Sequence, residues 1–291
     1  MAKFSPMDAV FSGLRFVRSR PATLLIWSAY LLVVVTVASL ALFDLGGDQL
    51  TSLAAAMQGA TPDLRHVSDI MQGLLPASGF AFLLIVVFGA VLATAILRAY
   101  LELGPQSWGG LRLGGEELRL LGVGVLMLLA LFMAEALVLS AAVAAAQVNI
   151  PPMAIVIVGY LLIAALAVRL SLAPVIAVVE NRVSLHRSWL MTRKAFWPML
   201  GAYLLLGVLT LVILLIVMMV IGALITAAAA VTGGGFSQLL FALQHRYEDI
   251  NPLILGLYVL KNLAQVWISV VFLTMSLGVG VEAYRAYSGD V

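Results

Sequence analysis

Leu120-Leu121-Gly122-Val123-Gly124-Val125-Leu126-Met127-Leu128-Leu129-Ala130-Leu131-Phe132-Met133-Ala134-Glu135-Ala136-Leu137-Val138-Leu139-Ser140-Ala141-Ala142-Val143-Ala144-Ala145-Ala146, residues 120–146, carries a single ionisable side chain, Glu135, near its middle. About 20 mostly apolar residues suffice for a helix to cross a hydrocarbon core about 30 Å thick. Runs of the same character lie at 22–43, 77–98, 153–176, 198–231 and 254–283. In lipid every backbone N–H and C=O must be paired internally, which leaves helices or closed barrels; runs of this length are helical. The expected fold is all-α: a polytopic membrane bundle of six transmembrane helices in one transmembrane domain, residues 1–291.

Composition agrees. The chain is 63% hydrophobic and 10% charged, against about 25% charged in soluble domains. That is too little charge to coat a soluble core. The net charge of +2 argues against a nucleic-acid partner. With no cysteine, disulfides, thiolate nucleophiles and thiolate metal sites are excluded. The run at 22–43 follows a basic segment but exceeds the roughly 7–15 apolar residues of a signal-peptide core, so it is expected to stay as an anchor.

Lys and Arg set the orientation of membrane helices. Lys3, Arg15, Arg18 and Arg20 precede the first run; Arg98, Arg112 and Arg119 lie between the second and third; Arg169, Arg182, Arg187, Arg193 and Lys194 lie around the fourth-to-fifth connection. The intervening connections hold only Arg65 and Arg246, and the 147–152 turn holds none. The strict alternation predicts cytoplasmic N- and C-termini. The 198–231 run is longer than a bilayer needs and must tilt, kink near Gly222 or project beyond it. The 153–176 run meets Arg169 and Pro174 and is expected to end or bend there, with 171–179 near the inner surface.

The connections have helical periodicity. Ser5-Pro6 is a helix-start signal, and Met7, Val10, Phe11, Leu14 and Val17 share a face with Arg15 and Arg18 off it. Residues 184–196 are similar, with Leu185, Trp189 and Phe196 apolar beside Arg187, Arg193 and Lys194. Both are expected to be basic interfacial amphipathic helices. On the other face, Leu64, Val67, Ile70, Met71 and Leu74, and Phe236, Leu239, Leu240 and Leu243, predict short surface helices. Covering span ends accounts for all four; roofing a cavity or presenting a partner surface is the functional alternative.

A parallel internal repeat is suggested by local matches. Val86-Val87-Phe88 and Ala99-Tyr100 recur with the same spacing as Val270-Val271-Phe272 and Ala283-Tyr284, and Ala29-Tyr30-Leu31-Leu32 recurs as Ala202-Tyr203-Leu204-Leu205. Two such units in one orientation would be related by an axis along the membrane normal.

Within 168–201, Arg169, Ser171, Pro174, Glu180, Ser188, Trp189, Thr192, Phe196 and Trp197 form a pattern. It resembles the signature of bacterial membrane proteins similar to the membrane domain of glycerophosphodiester phosphodiesterases. The resemblance is best over this stretch and loosely covers the six-span plan. It implies a bacterial inner-membrane location. It does not imply hydrolysis, which in that family belongs to a separate soluble barrel that these residues do not encode.

Ionisable groups within a span are costly and usually paired or functional. Glu135 and Lys261 fall at similar expected depths, roughly 12 Å from the same side at 1.5 Å per residue. They form a candidate intramembrane charge pair, either structural or a substrate or proton site. If Lys261 is not the partner, a protonated Glu135 bonded to a neighbouring helix is expected. Arg169, Arg187, Arg193 and Lys194 are candidate headgroup-binding residues, grouped with Glu180, Arg98, Glu116, Glu117 and Arg119; ordinary positive-inside anchoring also explains them. His66, His186 and His245 have no metal-ligand spacing, Leu113-Gly114-Gly115-Glu116-Glu117 lacks the phosphate-loop pattern, and no serine has a hydrolase elbow context. No catalytic constellation, metal or cofactor is expected.

Two functions fit: a non-catalytic inner-membrane partner or scaffold supporting envelope or lipid homeostasis, and a transporter of a lipid or small amphiphile between the repeat units. The expected partners are membrane lipids and another membrane protein. Reporter fusions after residues 60, 110, 150, 190, 245 and 291 should read out, in, out, in, out and in; one reversed reporter overturns the six-span topology.

Overall fold

A computed structural model of the protein describes residues 4–58, 64–103, 107–148, 151–232 and 252–288. Among the described residues every regular element is helical. In chain order they are α1 (Pro6–Ser19), α2 (Pro21–Gln58), α3 (Leu64–Leu101), a 3-10 turn (Ser107–Gly110), α4 (Gly115–Gln147), α5 (Pro152–Leu170), α6 (Ala173–Val179), α7 (Leu185–Thr232) and α8 (Pro252–Tyr287). Six segments are long and apolar enough to cross a membrane: Pro21–Leu50, Asp69–Leu101, Trp108–Gln147, Pro152–Val179, Leu185–Ala228 and Val259–Tyr287. They coincide with the six apolar runs, and the protein is a membrane-type helical bundle.

The helices exceed the runs that nucleate them. Residues 64–74 form no separate surface helix: they are the first turns of α3, which continues through Pro76. Ile70 and Leu74 are buried, while Met71 stays exposed. Residues 185–196 likewise open α7, which runs for 48 residues through Pro198, roughly 72 Å at 1.5 Å per residue. A proline inside a helix removes one N–H and crowds the carbonyl four residues back. α3 and α7 nonetheless continue through Pro76 and Pro198. The outer segment expected at 236–243, and His245, lie outside the described residues.

The 153–176 run ends where Arg169 and Pro174 predict. α5 stops at Leu170, and α6 begins after a two-residue turn, with Pro174 in its first turn. Within this stretch α6 packs into the protein. Ala173, Val175, Ile176, Ala177 and Val178 are all buried. A short apolar helix with no polar face is suited to burial on all sides.

The chain divides into two compact units. The first comprises residues 1–28, 168–172 and 188–291, and so contains α1, most of α7 and α8. The second comprises 29–167 and 173–187, with α3, α4, α6 and most of α2 and α5.

In the first unit α1 starts as its sequence predicts. Ser5 is the N-cap, its Oγ accepting the Asp8 N–H at 3.3 Å, and Pro6 occupies the first turn. Its buried face is rotated from the expected stripe by about a quarter turn, at 3.6 residues per turn. Ala9, Val10 and Gly13 face protein, and Ala9 and Val10 join Ala202 and Leu206 of α7 and Val271, Met275 and Val279 of α8 in one core. Met7, Phe11 and Leu14 remain exposed. Small residues contribute little to an amphipathic pattern but permit close approach: a Cβ on Gly13 would lie 3.1 Å from the Met275 Cα. The bulky apolar side stays exposed, the side that an interfacial helix would turn to lipid. At the α1–α2 junction, Phe16 stacks on the fully buried Trp27 at 6.4 Å, with Arg20 5.0 Å over the Phe16 ring.

In the second unit α3 packs on α4 and α6, and α4 packs on α6. Tyr30 of α2 donates to the Phe88 carbonyl of α3 at 3.1 Å.

Gly13→Val should lower stability by about 1–3 kcal/mol, the usual cost of overpacking a tight contact. Leu14→Ala on the exposed side should change it by less than about 0.5 kcal/mol. Thermal unfolding in detergent measures both; equal effects would place α1 against protein through its bulky face.

Candidate functional site

Ionisable residues gather at helix ends, and each group has a separate structural role. In the second unit, Arg98 in the last turn of α3 is only 3% exposed. Its Nε donates to Glu116 at 2.7 Å, one terminal nitrogen donates to the Gly110 carbonyl at 3.1 Å, and the other pairs with the buried Glu117. Arg112 lies 3.7 Å from Glu116. Glu116 and Glu117 sit in the first turn of α4, where the helix dipole favours acidic side chains. Arg98 is therefore fully engaged by this node and does not face a headgroup. The alternation of basic connections registers only its charge; nothing in the local sequence marks its burial.

Glu180 follows α6. It accepts from Arg182 at 2.8 Å through Oε2 and from Arg187 at 2.6 Å through Oε1. Arg119 donates to the Asn181 side-chain oxygen at 2.7 Å. Of the four candidate headgroup residues, Arg187 thus has a carboxylate of its own.

In the first unit, Arg169 gathers Ser188, Trp189, Thr192 and Phe196. Ser188 Oγ donates to the Arg169 carbonyl at 2.8 Å, and the single Thr192 hydroxyl proton is shared between that oxygen, at 3.2 Å, and the Ser188 carbonyl, at 2.8 Å. These hydroxyls, both on fully buried side chains, satisfy a carbonyl that the end of α5 leaves without a helical partner. The Arg169 guanidinium lies 5.4 Å from the Trp189 ring and 4.9 Å from the Phe196 ring, within cation–π range. One terminal nitrogen, Nη1, is buried with no hydrogen-bond partner among the described residues. Arg193 and Lys194 are exposed. Neither they nor Arg169 form an ion pair among the described residues.

Glu135 lies in the second unit and Lys261 in the first. Glu135 is exposed on α4 and accepts a hydrogen bond from Tyr160 of α5 at 3.3 Å. Gly159 makes this possible: any Cβ there would fall inside the Val138 side chain, so the helices approach beside Tyr160. Phe132 is 70% and Leu137 68% exposed around Glu135. Tyr160 is absent from the sequence-derived site; its placement beside a carboxyl twenty-five residues away in sequence depends on the α4–α5 packing. Lys261 is half-buried on α8.

A cleft of about 260 Å³ between α1 and α8 is lined by Asp8, Ser12, Arg15, Glu282 and Arg285. Arg285 and Glu282, one turn apart on α8, pair at 3.3 Å on one wall of it. His186 is exposed, and among the described residues no cluster of histidines and carboxylates could hold a metal.

Compared with family models, curated proteins and solved structures, the chain matches none.

Arg98→Met should cost about 3–5 kcal/mol, because two acidic groups are left beside an uncharged side chain in a buried setting. Adding Glu117→Leu should recover part of that loss. Unfolding of the purified single and double variants measures the coupling, and strictly additive losses would show that the node contributes nothing as a unit.

Proposed function

We propose that the protein is a non-catalytic partner or scaffold of the bacterial inner membrane that supports envelope or lipid homeostasis, with both termini cytoplasmic. The location rests on the alternation of basic connections and on the resemblance of 168–201 to the glycerophosphodiester phosphodiesterase membrane-domain family. The observation that carries the partner role is Glu135. It stands exposed in the middle of a span, on a helix surface of large apolar residues, with the Tyr160 hydroxyl as its one polar partner among the described residues.

A carboxyl facing hydrocarbon is costly, and one hydrogen bond leaves most of its acceptor capacity unused. A neighbouring transmembrane segment that brings a cation or a hydrogen-bond donor to this face would complete it. Exposure on the helix surface supports this partner reading over transport, which needs Glu135 within a cavity. Lys261 is the competing donor from the same chain.

The test is photo-crosslinking in native membranes from a probe at Leu139, beside Glu135 on α4. A specific adduct with another membrane protein is expected, and Glu135→Leu should abolish it. Tyr160→Phe should weaken it by roughly five- to thirty-fold, corresponding to the about 1–2 kcal/mol of an interhelical hydrogen bond in lipid. An adduct indifferent to Glu135→Leu overturns the reading. If Lys261→Leu alone destabilises the protein and Glu135→Leu relieves that loss, the two form an internal pair and Glu135 leaves the interface.

A further inference from the structure

Around Arg169 every contact positions the side chain and none neutralises it. Two buried hydroxyls hold its carbonyl, two aromatic rings bracket its guanidinium, and Nη1 is buried without an acceptor among the described residues. The residue as a whole is half-buried, so part of the fork stays open. Neither α5 nor α7 carries an aspartate or glutamate anywhere along its length. The negative partner must come from outside these helices.

A second cation belongs to the same face. Arg193 lies four residues after Trp189 and three before Phe196 on α7, the spacings that place side chains side by side. It is exposed and unpaired among the described residues. Trp189 and Trp197 are also exposed, at 45% and 76%, and exposed tryptophan at a span end is characteristic of the headgroup layer. Lys194 is one residue on, and so about 100° around the helix from Arg193.

We propose that Arg169 and Arg193 form a binding site for a phosphate group at the level of the lipid headgroups, filled by the phosphate of an anionic phospholipid. A guanidinium presents parallel donors that match phosphate oxygens. The Trp189 and Phe196 rings fix its plane in advance, and the Ser188 and Thr192 hydroxyls fix its backbone. Arg187 is not part of the site, because Glu180 already binds it. This site is separate from Glu135 and does not depend on the partner role proposed for that residue.

The test uses the full chain, purified and stripped of lipid in a neutral detergent. Phosphatidylglycerol, phosphatidylcholine and inorganic phosphate are added separately, and binding is read by native mass spectrometry and thermal shift. Phosphatidylglycerol should bind and stabilise; phosphatidylcholine, whose phosphodiester carries a quaternary ammonium that two arginines repel, should bind markedly more weakly. Arg169→Gln and Arg193→Gln should each weaken phosphatidylglycerol binding roughly tenfold, a loss typical of one charge-assisted contact. Lys194→Gln should leave it nearly unchanged. If Arg169→Gln does not fold, the exposed Arg193→Gln against Lys194→Gln carries the test alone. Stabilisation by inorganic phosphate that Arg193→Gln removes would support the anion site and assign it a soluble source. Equal losses for Arg193→Gln and Lys194→Gln would reduce the effect to general surface charge and overturn the site. So would equal retention of both lipids.

Discussion

Hydrocarbon offers the backbone no hydrogen-bond partner, and the rest of this structure follows from that constraint. A chain so poor in charge has to fold in lipid, and in lipid its backbone must bond to itself. The continuous helices follow, including the two that run through Pro76 and Pro198. The same constraint explains the Arg169 carbonyl. Where α5 stops, its last acceptors need donors, and Ser188 and Thr192 supply them from α7.

Charge in this protein is sorted by how well it is matched. Arg98 is buried and meets two carboxylates and a carbonyl. Glu180 holds Arg182 and Arg187. These nodes sit at helix ends and tie neighbouring elements within their unit, as expected of buried charges that persist only when paired. Arg169 and Glu135 differ. Each is held in place by aromatic or hydroxyl groups, and each has capacity for an oppositely charged or hydrogen-bonding group. One lies at the end of α5 and the other in the middle of α4, so the complements proposed for them differ: a phosphate for the first, a helix-borne donor for the second.

The signature residues acquire a physical meaning in this light. Ser188, Trp189, Thr192 and Phe196 recur on one side of α7 because they all touch Arg169, while Glu180 serves the arginines that follow it. Their spacing reflects a structural joint between the end of α5 and the start of α7.

Span number, helical class and the start of α1 at Ser5-Pro6 were legible in the residues themselves, because they depend on local properties: apolar run length, charge spacing and a side-chain cap. The end of α5 near Arg169 and Pro174 was legible for the same reason. Tertiary structure alone decided which face of α1 is buried, since Ala9 and Gly13 give little amphipathic signal yet allow contact with Met275. It decided that α6 is buried, that residues 64–74 and 185–196 belong to long helices, and that Arg98 is enclosed while Arg193 is open. It also placed Tyr160 against Glu135 through Gly159. Local sequence sets what a helix is and where it starts; the partner that each side chain meets depends on close approach between helices distant in the chain, which periodicity does not encode.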